Sequence, residues 1–83
     1  MAGVEQIRAG IAVATEKSQA AVAAIVHASL EIDDARAALL TGGGHPGLAE
    51  ALDLLADAQH GLDAAQGTLR ASMTSAEGCA ARL

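Results

Sequence analysis

Three histidines, His27, His45 and His60, are the side chains most able to bind a metal ion. His27 precedes Glu31 by four residues and Asp57 precedes His60 by three, and both spacings place two ligands on one face of a helix. Against this, the heptad pattern described below turns His27 and His60 outward, and the chain contains no Glu-x-x-His motif. We therefore keep a metal-binding helical bundle as the least favoured of three functions and assign no metal ligand.

Residues that could support catalysis lack the partners they would need. Cys79, the single cysteine, is a nucleophile only beside a base and positive charge, and the heptad places it near Ile7 as a small hydrophobic residue. The Thr-Gly-Gly-Gly run at 41–44 lacks the Lys-Ser/Thr of a phosphate-binding loop. Ser18 stands where a larger side chain is expected and saves space. The sequence predicts no catalytic residue, no cofactor and no enzymatic activity.

Composition narrows the classes of partner. The 83 residues include 22 alanines and no Phe, Trp or Tyr, and the net charge is -5. An acidic chain repels phosphate backbones and anionic lipids, and its longest apolar run, residues 20–26, is far shorter than the ~20 residues of a membrane span. One cysteine permits no intrachain disulfide, and the N-terminus does not read as a signal peptide. We expect no nucleic-acid or membrane binding, and a cytoplasmic protein or one exported without a cleaved signal.

The segment 41–47 predicts a turn between two long helices. Its glycines can end a helix in the left-handed conformation, and Pro46 suits the first turn of the next helix, with His45 in a capping role. The fold class is therefore all-α: a single domain over residues 1–83, built as an antiparallel two-helix hairpin. The first helix is expected over about residues 4–40, the turn over 41–45 and the second helix over about 46–82. A capping-box sequence at 74–77 could break the second helix, but its heptad continues to Leu83 and favours an unbroken helix.

A heptad repeat predicts which residues join the two helices in an alanine-rich coiled coil. Large side chains recur every seven residues from Val4 and again from Leu48, and a smaller, mostly alanine series follows each of them by three positions. Folding at the turn sets Leu39 near Leu48 and Ile25 near Leu62. The predicted hairpin seam comprises Val4, Ile7, Ile11, Ala14, Ala21, Ile25, Ala28, Ile32, Ala35, Leu39, Leu48, Ala51, Leu55, Ala58, Leu62, Ala65, Leu69, Cys79 and Leu83.

Further apolar side chains lie outside this predicted seam. A two-helix monomer has no third layer to cover them, so we expect them to form a partner or oligomer interface. That interface comprises Val22, Val26, Leu40, Leu52, Leu54 and Met73. The partner is either a second copy, giving a homodimeric four-helix bundle, or a helical segment of a larger protein. The acidic residues Glu31, Asp33 and Asp34, with Arg36 beside them, are expected to form a solvated face.

With these features the chain resembles the WXG100 (ESX-type) group of small, acidic, alanine-rich helical hairpins. The run at 41–44 stands where that family has Trp-x-Gly, and the chain has no tyrosine for the family's C-terminal export signal. The segment 44–52 is also similar to actinobacterial helical hairpins, some of which accompany secreted toxin modules. The resemblance implies an adaptor or partner of a secreted protein and carries over no catalytic residue. A purely structural, self-assembling oligomerisation module is the alternative.

Overall fold

A computed structural model describes residues 3–42 and 45–83 and shows two long helices that pack against each other. The first, α1, spans Val4–Leu40; a short 3-10 turn, Pro46–Leu48, leads into the second, α2, which spans Ala49–Ala81. The molecule measures 61 × 18 × 14 Å, so its length is close to the ~55 Å of one 37-residue helix and the two helices lie side by side. The predicted all-α helical hairpin is confirmed.

The first helix begins and ends with local hydrogen bonds. At its start, the Gly3 N–H donates to Gln6 Oε1 at 3.1 Å, which satisfies one of the free amides of the first turn. At its end, Thr41 keeps a right-handed conformation and Gly42 donates to the Leu39 carbonyl at 3.1 Å. Gly42 does not adopt the left-handed backbone expected there, and Gly43 and Gly44 lie outside the described residues.

The second helix starts on a histidine cap. His45 Nδ1 accepts a hydrogen bond from the Gly47 N–H at 2.9 Å, and Pro46 occupies the first position of the 3-10 turn. The predicted capping role of His45 is confirmed. Downstream, α2 passes through residues 74–77 and continues to Ala81, so the favoured prediction of an unbroken helix is confirmed.

Half-buried residues mark the seam between the helices with alternating spacings of four and three. One series is the predicted large series; the other follows it by four residues instead of three. This second series comprises Thr15, Val22, Ser29 and Arg36 in α1, and Leu52, Gln59, Gln66, Met73 and Ala80 in α2. Val22, Leu52 and Met73 therefore belong to the contact between the helices, which corrects their assignment to a partner interface.

The alanine series flanks the seam instead of forming its centre. A position three residues after each large residue points about 60° away from it, to the side opposite the series spaced by four. The half-buried members of the predicted seam are Ile11, Ala21, Ile25, Ala28, Ile32, Leu39, Leu48, Ala51, Leu55, Leu62, Leu69 and Cys79. Exposed members, whose seam assignment is corrected, are Ala14, Ala35, Ala58 and Ala65 beside the seam, and Val4, Ile7 and Leu83 at the open end of the hairpin.

The hairpin exposes far more surface than a globular chain of its mass. None of the described residues is fully buried, and the accessible surface is 5773 Å² against about 4,500 Å² expected for a globular 8.2-kDa monomer. The radius of gyration is 18.7 Å, where a compact domain of this length has about 12 Å. Within the described residues, no helix combines the length and apolar character required to cross a bilayer.

Glycines inside the helices offer a test of this open architecture. A Cβ atom at Gly61 would meet no atom within 4 Å, whereas a Cβ at Gly47 would lie 3.0 Å from His45 Nδ1. We expect Gly61→Ala to raise the free energy of unfolding by about 0.5–1 kcal/mol, because alanine removes the entropic cost of helical glycine. Gly47→Ala should lower it by about 1 kcal/mol because the histidine cap must shift. Urea unfolding measures both, and destabilisation by Gly61→Ala would show that this surface is already packed.

Candidate interaction surface

The candidate metal ligands lie on the outside of the hairpin. His27 Nε2 is 4.0 Å from Glu31 Oε1, and the two side chains are 77% and 66% exposed. Asp57 and His60 are also exposed. In the described part of the chain, no three His, Cys, Asp or Glu side chains converge on a common point. Within the described residues, the structure therefore adds no third ligand to either the His27–Glu31 pair or the Asp57–His60 pair.

The other residues considered for chemistry take structural positions. Cys79 is half-buried beside the seam, and Ser18 is half-buried within it, at a position of the large series. His45 caps the second helix. No pocket is found among the described residues.

A cluster of polar side chains crosses the seam near the turn. Arg36 Nη1 of α1 donates to Gln59 Oε1 of α2 at 2.7 Å. Gln59 Nε2 in turn donates to the Ser29 carbonyl at 3.4 Å and to the Asp33 carboxylate. The Gln59 side chain of α2 thereby bonds to Ser29, Asp33 and Arg36 of α1, which together span about two turns of that helix. Polar residues at such positions specify how two helices align, since a shifted alignment leaves them unpaired.

Arg36 belongs to this cluster and is only partly exposed to solvent. The residue is half-buried, and its Nε atom is buried without a hydrogen-bond partner among the described residues. Sequence reasoning missed both Arg36 and Gln59 as seam residues, because the second series was assigned to the alanines. The available signal was the recurrence, four residues after each large position, of side chains such as Ser29 and Arg36 or Gln59 and Gln66.

Large apolar side chains remain exposed outside the seam. Val26 is 44% exposed, Leu40 is 61% and Leu54 is 60%, which agrees with their predicted position off the seam. Two more, Leu30 at 57% and Val13 at 56%, were not included in the predicted interface. Four of these five lie in the half of the hairpin near the turn, whereas Val13 lies near the open end, where Val4, Ile7 and Leu83 are exposed as well.

Charge is divided unevenly along the hairpin. We define the turn half as residues 22–64 and the open half as the remainder. The turn half contains seven acidic residues and one basic residue, for a net charge of -6. The open half contains three acidic and four basic residues, for a net charge of +1, and the two halves together give the -5 of the chain. The single basic residue of the turn half is Arg36, which the seam holds. Exposed charge near the turn is therefore almost entirely negative.

No family model, curated protein or solved structure matches the chain.

The Gln59 cluster makes a specific prediction about stability. Gln59→Ala should lower the free energy of unfolding by about 1–2 kcal/mol, because the half-buried Arg36 guanidinium loses its acceptor. Gln66→Ala is the matched control: this glutamine is half-buried at the equivalent position one heptad later, and we expect a smaller loss. Chemical denaturation of both variants measures the difference. Equal losses would mean that the contact to Arg36 contributes nothing beyond ordinary packing.

Proposed function

We propose that this chain is a non-enzymatic helical interaction module that completes its packing against helices of another chain. One observation supports the proposal above the others: among the described residues, no side chain is fully buried in the isolated hairpin. Folded domains are held together mainly by apolar surface removed from water. A hairpin with one half-buried seam removes little of it, and a second layer of helices would remove the rest.

The exposed area supports this proposal quantitatively. The hairpin shows about 1,200 Å² more surface than a globular chain of equal mass. Each partner in a specific complex of standard size buries about 800 Å². The excess is therefore large enough to supply a complete interface. Exposed Val26, Leu30 and Leu40, on one side of α1, provide the large apolar contacts that such an interface needs at its centre.

Within this function, we propose an adaptor or partner of a secreted protein as the favoured biological role. Its support is the resemblance to small, acidic, alanine-rich hairpins that accompany secreted proteins. An adaptor of this kind would meet a helical segment of its client in the cytoplasm. Co-purification with the product of a neighbouring gene that encodes a larger exported protein tests the role. Recovery of the chain with itself alone, among unrelated neighbouring genes, would favour the alternative, a structural self-assembling module.

Two glutamate substitutions separate association from folding. Val26 is exposed and Leu52 is half-buried in the seam. We expect Val26→Glu to weaken assembly while retaining the helical circular dichroism signal, because it changes only the outer surface. Leu52→Glu should reduce the helical signal itself, since it places a charge between the helices. Sedimentation across a concentration series, with melting at each concentration, gives both readouts.

The unaltered chain provides the reference for these variants. Association must make its melting temperature rise with concentration. A stable monomer whose melting is independent of concentration, and which captures no helical partner, would contradict the proposed function. Equal loss of helix in both variants would place Val26 inside the hairpin instead of at an interface.

A further inference from the structure

We propose that the turn half of the hairpin binds a basic amphipathic helix of a partner protein, along the exposed side of α1 that carries Val26, Leu30 and Leu40. This inference rests on the proposed function and specifies the chemistry of the partner. Its basis is that four exposed large apolar side chains, Val26, Leu30, Leu40 and Leu54, lie in the half of the molecule that carries the negative charge.

The apolar side chains form one stripe. Val26, Leu30, Ala37 and Leu40 follow one another at spacings of four, seven and three residues, which keeps them on one face of α1. Asp33 lies within the same stripe, and its carboxylate accepts a hydrogen bond from Gln59 of α2. The stripe therefore runs alongside the neighbouring helix instead of pointing away from it, and a third helix could contact both.

The same side of α2 combines small and polar side chains. The α2 positions equivalent to the stripe lie one residue after or two residues before a large seam residue, and they include Ala49, Asp53, Ala56, His60 and Asp63. Alanine side chains let helix backbones approach closely. The stripe from Val26 to Leu40 extends ~21 Å, which matches a partner helix of about 14–18 residues.

The charge around this stripe selects a basic partner. Asp53 and Asp63 of α2, at positions equivalent to the stripe, and Asp34 of α1, four residues after Leu30, are exposed in the turn half, where the net charge is -6. Arg36, the one basic residue of this half, is paired with Gln59 in the seam. Lysines or arginines flanking an apolar stripe would meet these carboxylates, whereas an acidic helix would be repelled.

A second copy of the chain fits this surface less well than a basic helix. Two turn halves facing each other would bring net charges of -6 and -6 together, and the open half of a second copy offers only +1. A helix with several basic residues supplies the complementary charge that the chain itself lacks.

The test uses the full chain and three synthetic helical peptides of about 18 residues. The first has a leucine stripe flanked by lysines, the second replaces every lysine by glutamate, and the third is a scramble of the first without a stripe. Fluorescence anisotropy gives each dissociation constant at two salt concentrations. We expect the lysine peptide to bind at least about tenfold more tightly than the other two, and more weakly at high salt.

Variants of the protein locate the binding surface. Leu30→Gln should weaken binding of the lysine peptide by about tenfold or more through lost apolar contact. Val13→Gln, a similarly exposed position in the open half, is its control and should leave binding unchanged. Asp53→Asn with Asp63→Asn should weaken binding and flatten its salt dependence, whereas Glu16→Gln with Glu77→Gln should do neither.

Several results would overturn the inference. If the glutamate peptide binds as tightly as the lysine peptide, charge does not select the partner. If the scrambled peptide does so, the apolar stripe does not select it. Equal effects of Leu30→Gln and Val13→Gln would show that binding is not located on the turn half of α1. A dimer in sedimentation that Leu30→Gln dissociates would assign this surface to a second copy and leave the proposed function standing. A monomer that binds none of the peptides and has concentration-independent melting would contradict both.

Discussion

The structure depends on a single seam between two helices, and water reaches every residue of that seam. A hairpin has only one contact between its elements, so each helix can turn just one narrow face away from solvent. The large side chains at positions such as Ile25 and Leu62 are half-buried there and not fully buried. Alanine favours helix formation by itself, but the tertiary stabilisation comes from this partly solvent-exposed contact between the helices. The extended shape and the exposed leucines follow from it.

The partial solvent exposure of the seam also explains why polar residues are tolerated inside it. Arg36, Gln59 and Gln66 occupy positions that a fully buried core would reserve for apolar side chains. In the hairpin they retain access to solvent, and Arg36 and Gln59 pair across the helices. Loss of one partner destabilises the hairpin by leaving the other unpaired, and the pair also fixes the alignment of α1 with α2, which a contact of alanine and leucine alone would leave free to slip. Correct alignment in turn places the exposed Val26, Leu30 and Leu40 on one side of the molecule.

The fold was predictable because its signals are local. The glycine and proline residues at 42–47 mark the turn, the seven-residue recurrence from Val4 and Leu48 marks the helices, and His45 before Pro46 marks a cap. The centre of the seam was not predictable from hydrophobicity, because a large residue at every seventh position is compatible with a second seam series either three or four residues later. The alanines at the three-residue spacing favoured that series in the sequence analysis. In the structure the series at the four-residue spacing lies in the contact, with Val22 and Leu52 inside it and Ala14 and Ala58 outside it. The half-burial of the series spaced by four, together with the pairing of Arg36 with Gln59 across the helices, identifies the side that the structure uses.

The central claim is that the isolated hairpin is an incomplete structure, stabilised by a second layer of helices. Its most direct test is the free energy of unfolding of the dilute chain, shown to be monomeric by sedimentation and measured by amide hydrogen exchange. The account predicts a value below about 4 kcal/mol for the seam amides of α1 and α2, under the 5–15 kcal/mol typical of folded domains. A monomer whose seam amides exchange only through unfolding at 5 kcal/mol or more would show that the hairpin is complete by itself.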